Sequence, residues 1–343
     1  MLLQSIALRN FRNYTESTFS FSPRITYIHG PNAHGKTNLL EAIHFICTGK
    51  GIKDEKQEEM ITFDAEEADI QAHFSSDHIA ADLRIHLSVH EKIIKTYFVD
   101  TAKKMLYTYM RSAPPVVLFT PERISIIDGS PAQRRSYIDD ILCKIDIHYL
   151  KNLKNYESGL HRRNKILESE HDHIKLKERL QFWDEYLIKQ AVYLVNKRQW
   201  ICNIFNSQSP LNKHIFHTTY IPNEISEHRF HDYFIKETYQ KRTLIGPQRD
   251  EFVITLQKDG KDIDTKKFAS RGEQRLALIW LTLEQLGLYL RELKTSPLLL
   301  LDDIFSELDD DNKKIVTELV EKHQSVITTT ETGRIKRGEI IAL

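Results

Sequence analysis

The sequence has few cysteines, no long hydrophobic run and no excess of charge of either sign. Its three cysteines are scattered over 343 residues without a Cys-x-x-Cys pair, which excludes a disulfide framework and a zinc ribbon. The longest apolar run, around residues 276–283, reaches about eight residues, whereas a membrane span needs about 20. The first residues contain no basic segment and no cleavage site. We therefore predict a soluble protein of the reducing cytoplasm with no membrane partner.

The charges balance over the whole chain but not locally. There are 48 Lys and Arg residues and 48 Asp and Glu residues, so bulk charge predicts no strong attraction to nucleic acid. Between residues 133 and 198, however, 14 basic residues stand against 10 acidic ones. A nucleic-acid site in this protein should therefore be a local patch.

Hydrophobic periodicity divides the chain into three parts. Short strand-like and helical runs alternate at both ends, which indicates a parallel α/β core built from both ends of the chain. Residues 70–99 alternate with the period of antiparallel strands, and residues 131–205 have the period of long helices. The predicted fold is α/β, with a phosphate-loop sheet core, an antiparallel β-subdomain and an inserted α-helical lobe. The predicted boundaries are 1–130 and 241–343 for the core lobe and 131–240 for the insertion.

One segment matches the pattern G-x-x-x-x-G-K-[ST] at every fixed position. Its residues are Gly30, Pro31, Asn32, Ala33, His34, Gly35, Lys36 and Thr37. A strand-like run precedes the segment and a helical run follows it, which is the context that this pattern requires. Two glycines let several backbone N–H groups turn towards one anion at a helix N-terminus. We expect Lys36 to reach the β- and γ-phosphates of a nucleotide and the Thr37 hydroxyl to ligate Mg²⁺.

A second acidic partner for the metal follows a run of four leucines, residues 298–301. Such a run predicts a buried parallel strand, and Asp302 and Asp303 then lie at the edge where open α/β sheets bind ligands. We predict that Asp302 holds Mg²⁺, directly or through water, and that Asp303 polarises the attacking water as a general base. Two solvated acids at a strand end are the alternative.

A third motif, in residues 268–275, precedes an apolar helix. Ser270 and Gly272 would place a hydroxyl and a backbone N–H group at the helix N-terminus, which is a second anion-binding arrangement. Because the chain already has its own phosphate loop, this arrangement would serve the nucleotide of another subunit. The same residues also predict an ordinary capping box between Ser270 and Glu273, and both interpretations stay open.

The three motifs together, with residues 306–309 after the aspartate pair, resemble the ATP-binding-cassette ATPase superfamily. Lys36 and Ser270 are much farther apart than in transporter cassettes, and the insertion lacks the long heptad arms of the structural-maintenance-of-chromosomes branch. Further stretches resemble the RecF family of bacterial recombination and repair proteins. They are residues 8–14, 35–42, 129–135, 246–250 and 300–309, in order along the chain. The sequence departs from that family's pattern at Gln248, where histidine is expected, and at Arg271 and Glu273, where glutamines are usual.

The resemblance implies an ABC-type ATPase head with ATP and Mg²⁺ as cofactors and weak, DNA-stimulated hydrolysis. RecF-like proteins form an ATP-dependent head-to-tail homodimer and bind duplex DNA at gaps and single-strand/double-strand junctions. They act with RecR and RecO to load RecA in replication, recombination, DNA repair and the SOS response to DNA damage, in the cytoplasm at the nucleoid. By this resemblance Ser270, with Gly272 and Glu273, would complete the partner's nucleotide site. Arg12 and Asn13 would lie at the nucleotide edge, and residues 328–330 would take the place of the transporter switch histidine.

Basic residues of the insertion are candidates for contacts with DNA phosphates. They are Arg134, Arg135, Lys151, Lys154, Arg162, Arg163 and Lys165. A solvated helix face is the alternative for each of them. No base-reading motif is present, so structure-selective binding is expected. Two other functions stay open: the ATPase subunit of a membrane transporter, and a nucleotide-dependent interaction scaffold that does not hydrolyse ATP.

Overall fold

The computed structural model describes residues 1–52, 57–76, 79–90, 92–207, 211, 213–304, 310–330 and 338–343. Residues 306–309 of the predicted motif lie outside these ranges. The strands are β1 (Leu2–Phe11), β2 (Tyr14–Ser20), β3 (Ile25–His29), β4 (Glu67–Ser75), β5 (Ala80–Val89), β6 (Ile93–Val99), β7 (Ala102–Lys104), β8 (Val116–Phe119), β9 (Phe216–Ile221), β10 (Glu251–Lys258), β11 (Lys261–Asp264), β12 (Leu298–Asp302), β13 (Ser325–Thr329) and β14 (Glu339–Ala342).

The helices are α1 (Lys36–Thr48), α2 (Leu106–Ser112), α3 (Ser125–Asp128), α4 (Pro131–Ile145), α5 (Ile147–Ser169), α6 (His173–Phe205), α7 (Glu227–Gln240), α8 (Thr265–Phe268), α9 (Arg271–Leu293) and α10 (Asp310–Lys322). Within the described ranges, none of them combines the length and the apolar character that crossing a bilayer requires.

The first of two compact units contains Met1–Arg123 and Gln285–Leu343. Its described strands form a parallel sheet in the order β14-β3-β13-β12-β8 and an antiparallel six-stranded sheet in the order β2-β1-β4-β5-β6-β7. Every residue of β12 is buried, as expected for the centre of a parallel sheet. Helix α1 contributes Leu39, Ile43 and Phe45 to one core with residues of both sheets. The predicted fold class, a parallel core with an antiparallel β-subdomain, is confirmed for this unit.

The second unit contains Ile124–Glu284 and carries the predicted long helices. Helices α4, α5 and α6 each begin at a polar side chain that caps the first turn, namely Ser130, Asp146 and Asp172. The predicted boundary at residue 240 differs from this division, because β10 pairs with β9 and with β11 in a three-stranded sheet. Residues 241–284 therefore group with the helical insertion in the structure.

Candidate functional site

The phosphate loop joins β3 to α1, and each of its two glycines has its own structural reason. A Cβ atom at Gly30 would lie 2.8 Å from the carbonyl oxygen of Leu343. Gly35 has a φ of +96°, which disfavours any side chain, and its Cβ would lie 2.6 Å from the Nδ2 atom of Asn13. The four residues between Gly30 and Gly35, Pro31 to His34, are exposed. The loop is therefore tightly supported at both ends and open to solvent in the middle.

The N-terminus of α1 is open towards the loop. No side chain caps it and its first turn holds no acidic residue, so its N–H groups and the positive end of the helix dipole remain for an anion. The Lys36 ammonium donates to the carbonyl oxygens of Gly30 and Pro31, at 2.7 and 2.8 Å. Positive charge and backbone donors thus converge on the loop, and the binding of nucleotide phosphates there stays a prediction.

Asp302 lies at the C-terminal end of β12 beside this loop. The Thr37 hydroxyl donates to its Oδ2 atom at 2.9 Å, and the Thr328 hydroxyl of β13 donates to its Oδ1 atom at 2.6 Å. Burial raises the pKa of Asp302, and these two hydrogen bonds oppose the rise. The parallel register of β12 and β13 aligns Asp302 with Thr328. The fold therefore joins Thr37 and Asp302, two predicted metal ligands from opposite ends of the chain.

The oxygen donors of this site fit Mg²⁺. A hydroxyl and a carboxylate are hard ligands, and the buried Asp302 has no Lys or Arg ion-pair partner among the residues that the structure describes. The described residues include no group of three or more His, Cys, Asp or Glu that could hold a metal by themselves. A magnesium ion here would therefore take most of its ligands from phosphate oxygens and water, which is its usual habit in nucleotide sites.

Asp303 has an unusual backbone conformation at the sheet edge. Its φ is +43°, its side chain is exposed, and its N–H group donates to the Thr328 hydroxyl at 2.9 Å. A positive φ in a residue other than glycine is uncommon and often marks a functional position. This conformation leaves the Asp303 carboxylate accessible to water next to the buried Asp302.

Sequence reasoning missed two residues at the same edge, Thr120 and Glu122. Phe119 of β8 pairs with Leu301 of β12, so Thr120 is in register with Asp302. Thr120 is 1% exposed, and among the residues that the structure describes its hydroxyl has no hydrogen-bond partner. The charge of Glu122 contributes to the raised pKa of Asp302. The available signal was a buried strand that ends at Phe119, but its position beside β12 follows only from the strand order.

The third motif begins α9 in the second unit. Ser270 and Glu273 form the predicted capping box: the Glu273 carboxylate accepts from the Ser270 N–H group at 2.7 Å, and the Ser270 hydroxyl accepts from the Glu273 N–H group at 3.3 Å. The Ser270 backbone donor lowers the pKa of Glu273. Ser270 and Gly272 are both exposed, and nothing lies within 4 Å of a Cβ atom built on Gly272. The capping box is confirmed, and a contact of Ser270 with the nucleotide of another subunit stays a prediction.

The two residues expected at the nucleotide edge have different surroundings. Asn13 lies against the start of α1, where its side-chain oxygen accepts from Asn38 at 2.8 Å. The Arg12 guanidinium is instead paired with the buried Glu41 at 2.8 Å and donates to the backbone of Glu59. Asn13 therefore has the more favourable position for contacting a nucleotide.

The structure corrects two of the predicted DNA contacts. Arg163 is 1% exposed and forms ion pairs with Asp184 at 2.6 Å and Glu237 at 2.7 Å. Arg134 is 7% exposed and is paired with Glu251 at 2.9 Å. The prediction is wrong for both, because these guanidinium groups neutralise carboxylates inside the unit and do not face solvent.

The other candidates for contacts with DNA stay predictions. Arg135 is half-buried and donates to the backbone oxygen of Asp250 at 2.7 Å. Arg162 and Lys165 are exposed on α5. Only exposed cations can neutralise DNA phosphates, so Arg162 and Lys165, with the likewise exposed Lys151, are the strongest of these candidates.

The segment 246–250 contributes buried hydrogen bonds to the second unit. The Asp250 carboxylate is fully buried and accepts from Arg198 at 2.7 Å, from Tyr220 at 2.5 Å and from the Asn223 N–H group at 2.7 Å. The Gln248 side chain accepts from the Tyr156 hydroxyl and donates to the Ile245 carbonyl oxygen. Gln248 therefore has hydrogen-bond partners for its carbonyl and amide groups where histidine was expected.

Comparison with known proteins identifies the family to which this chain belongs. Residues 2–341 match the family described as RecF/RecN/SMC N terminal domain. The DNA replication and repair protein RecF of Prosthecochloris aestuarii is 32% identical, covering 96% of this chain and 94% of its own. The chain belongs to the RecF family. The RecF protein of Chlorobium phaeobacteroides is likewise 32% identical, covering 96% of each chain.

Solved structures agree with RecF membership. The recombination mediator protein RecF with ATP, of the RecFOR pathway, has a TM-score of 0.89 at 27% identity, covering 99% of this chain and 95% of its own. The Smc head domain of Pyrococcus furiosus, bound to part of ScpA, has a TM-score of 0.51 at 17% identity and shows the shared fold. The resemblance to RecF proteins is thus confirmed, and the chain is a member of a family of DNA replication and repair proteins.

Proposed function

We propose that this RecF-family protein is an ATP-driven DNA clamp. It binds Mg·ATP, forms a head-to-tail homodimer and engages duplex DNA at gaps and single-strand/double-strand junctions. It acts with RecR and RecO to promote RecA loading, in the bacterial cytoplasm at the nucleoid. The observation that supports this proposal most is the convergence of Lys36, the open N-terminus of α1 and the bonded pair Thr37–Asp302 at one sheet edge.

The residues of the first unit have separate roles in this proposal. Lys36 and the N–H groups of α1 bind the phosphates. Thr37 and Asp302 hold Mg²⁺, which would supply positive charge to the phosphate oxygens during hydrolysis. The exposed Asp303 carboxylate accepts a proton from the attacking water.

The second unit links nucleotide binding to dimerisation. The Ser270 hydroxyl and the N-terminus of α9 are exposed to solvent, and both carry donors suited to a phosphate. In a head-to-tail dimer they meet the γ-phosphate held by the other subunit, so ATP binding favours association. Slow, DNA-stimulated hydrolysis then removes this contact and resets the dimer.

The proposal is tested by the fluorescence anisotropy of a labelled gapped duplex, with and without ATP, at two salt concentrations. The wild-type chain should bind in the presence of ATP and more weakly at higher salt. Lys36→Ala should abolish the ATP-dependent part, whereas Lys103→Ala, at an exposed lysine of β7, should behave like the wild type. Binding that is indifferent to ATP, or no binding, contradicts the clamp.

Family membership argues against the transporter alternative, because the relatives are DNA replication and repair proteins that match over nearly their whole length. The scaffold alternative differs from the clamp in one property, hydrolysis. The unusual backbone of Asp303 beside the Thr37–Asp302 pair favours a hydrolysing enzyme.

A further inference from the structure

Between Lys175 and Trp200, the long helix α6 of the second unit has one flank made only of aromatic and basic residues, and the half-buried Ile204 follows it. Positions spaced by three and four residues lie on one side of a helix. On this flank they are Lys175, Arg179, Phe182, Tyr186, Lys189, Tyr193, Lys197 and Trp200, here called the aromatic–basic stripe. None of the eight is buried. The stripe is about 38 Å long at the rise of an α-helix.

A second flank of the same helix has a different composition. At the same spacing it contains Glu178, Gln181, Glu185, Ile188, Val192, Asn196, Gln199 and Asn203. This flank has no basic and no aromatic side chain, although solvent reaches it as well. The segregation of residue types is more than a solvated helix requires, because solvation alone sets no preference between the two flanks.

At one end of the stripe the aromatic rings form a connected platform. The ring of Trp183 lies 5.0 Å from that of Phe182 and 5.7 Å from that of Tyr186, and the Arg162 guanidinium lies 5.5 Å from the Trp183 ring. Phe182 remains 62% exposed. A Cβ atom at Gly159 of α5 would lie 2.9 Å from the Tyr186 ring, so the glycine allows this ring to lie against the helix. The platform thus packs against α5 on one side and presents the exposed Phe182 ring to solvent on the other.

At the other end a lysine lies between two rings. The Lys197 ammonium is 5.5 Å from the centroid of Tyr193 and 5.5 Å from that of Trp200. Asp146 accepts from Lys197 at 2.7 Å and from the Tyr193 hydroxyl at 2.8 Å. This carboxylate neutralises one cation and orders two side chains of the stripe.

The charge of the stripe stays positive after its carboxylate partners are included. Arg179 is paired with Glu170 at 3.1 Å, as Lys197 is with Asp146. In the described part of the chain, Lys189 and the neighbouring Arg162 and Lys165 have no carboxylate within ion-pair distance. These three exposed cations can therefore take phosphate groups as their counterions.

We infer that the aromatic–basic stripe binds single-stranded DNA. Unpaired bases stack on aromatic rings and the backbone phosphates contact the cations between them, which is the usual chemistry of single-strand recognition. A duplex hides the faces of its bases, so the stripe favours the unpaired strand. The exposed cations without a carboxylate partner need anionic counterions, which favours a nucleic-acid strand over a protein partner. This inference rests on the proposed function, since its ligand is the single-stranded arm of the same junction.

The test measures the anisotropy of a fluorescein-labelled oligothymidylate with the full chain and its variants. Phe182→Ala should weaken binding about tenfold through the loss of one stacked base. Lys189→Ala should lower the salt slope by about 0.7, the single-strand value for one phosphate contact. The matched controls are Tyr239→Ala, an 89% exposed aromatic residue on α7, and Lys177→Ala, an exposed lysine of α6 outside the stripe. Both controls should bind as the wild type does, and no stripe variant should change the affinity for a blunt duplex.

Tryptophan fluorescence gives a second readout that reports stacking directly. Oligothymidylate should quench the emission of the wild type, and Trp200→Phe should remove part of that quenching, whereas the third tryptophan, Trp280, is buried. No binding of oligothymidylate, or stripe variants that bind it as tightly as the controls, would overturn the inference. Stripe variants that lose binding to a protein partner but keep the wild-type affinity for oligothymidylate would overturn it as well. ATP-dependent capture of the gapped duplex that is lost in Lys36→Ala would still support the clamp in either case.

Discussion

Ser270 combines two tasks in one side chain, a helix cap and a proposed contact with a partner's phosphate. The cap is intramolecular and is made with Glu273. The phosphate contact needs a hydrogen-bond donor, which an ionised carboxylate at position 270 cannot supply. Substitutions that keep the first property and change the second can separate the two tasks.

Ser270→Asp is such a substitution. Aspartate caps a helix about as well as serine, so the melting temperature should stay close to that of the wild type. ATP-induced dimerisation should be lost, as measured by light scattering of the eluting protein with an ATP analogue. Ser130→Asp, at the capping box of α4, is the matched control and should still dimerise. A Ser270→Asp protein that dimerises normally would show that this residue does not meet the nucleotide.

Substitution of Asp303 distinguishes an ATPase from a scaffold that binds ATP without hydrolysing it. Asp303→Asn keeps the shape of the side chain but removes the base, so single-turnover hydrolysis should fall by about 10²- to 10⁴-fold. Binding of Mg·ATP should persist in this variant, whereas Asp302→Asn should weaken the magnesium-dependent part of binding. Equal hydrolysis by the wild type and Asp303→Asn would contradict the assigned role. No hydrolysis by the wild type would favour the scaffold.

At the scale of secondary-structure elements, α5 places two neighbouring arginines in opposite environments. Arg163 connects α5 to Asp184 of α6 and Glu237 of α7, and Glu237 is fully buried. Arg162 lies on the exposed side, next to the Trp183 ring. One position along a helix turns the side chain by about 100°, which exchanges the interior for solvent.

Arg163→Met should therefore destabilise the protein by about 3–5 kcal/mol, because two carboxylates lose their counterion inside the unit. Arg162→Met should change the free energy of unfolding little and weaken DNA binding instead. Urea unfolding of both variants, followed by circular dichroism, measures the difference. Equal stability of the two variants would mean that the buried ion pairs do not hold these helices together.

At the scale of the whole molecule, local patterns predicted the phosphate loop well and long-range neighbours poorly. Lys36 and Thr37 follow from eight consecutive residues and the elements that flank them. Thr120 beside Asp302 depends on the order of strands in the sheet, which no local pattern contains. Burial of Arg163 depends on how α6 and α7 pack against α5, and its charge alone favours the surface.

The domain boundaries show the same difference between local patterns and long-range neighbours. The helical period of residues 131–205 predicted the insertion, because long amphipathic helices have a clear pattern. The pairing of β10 with β9 joins segments separated by α7, so no local pattern indicates that residues 241–284 group with the insertion.

The central claim is that each nucleotide lies between Lys36 of one subunit and Ser270 of another. Mixing two inactive variants, Lys36→Ala and Ser270→Asp, tests it most directly by ATP hydrolysis. In a head-to-tail dimer of the two variants, one site contains both defects and the other contains neither, so the mixture should regain hydrolysis that neither variant has alone. If Ser270 serves the nucleotide of its own chain, every site keeps a defect. A mixture as inactive as its two components would contradict the account.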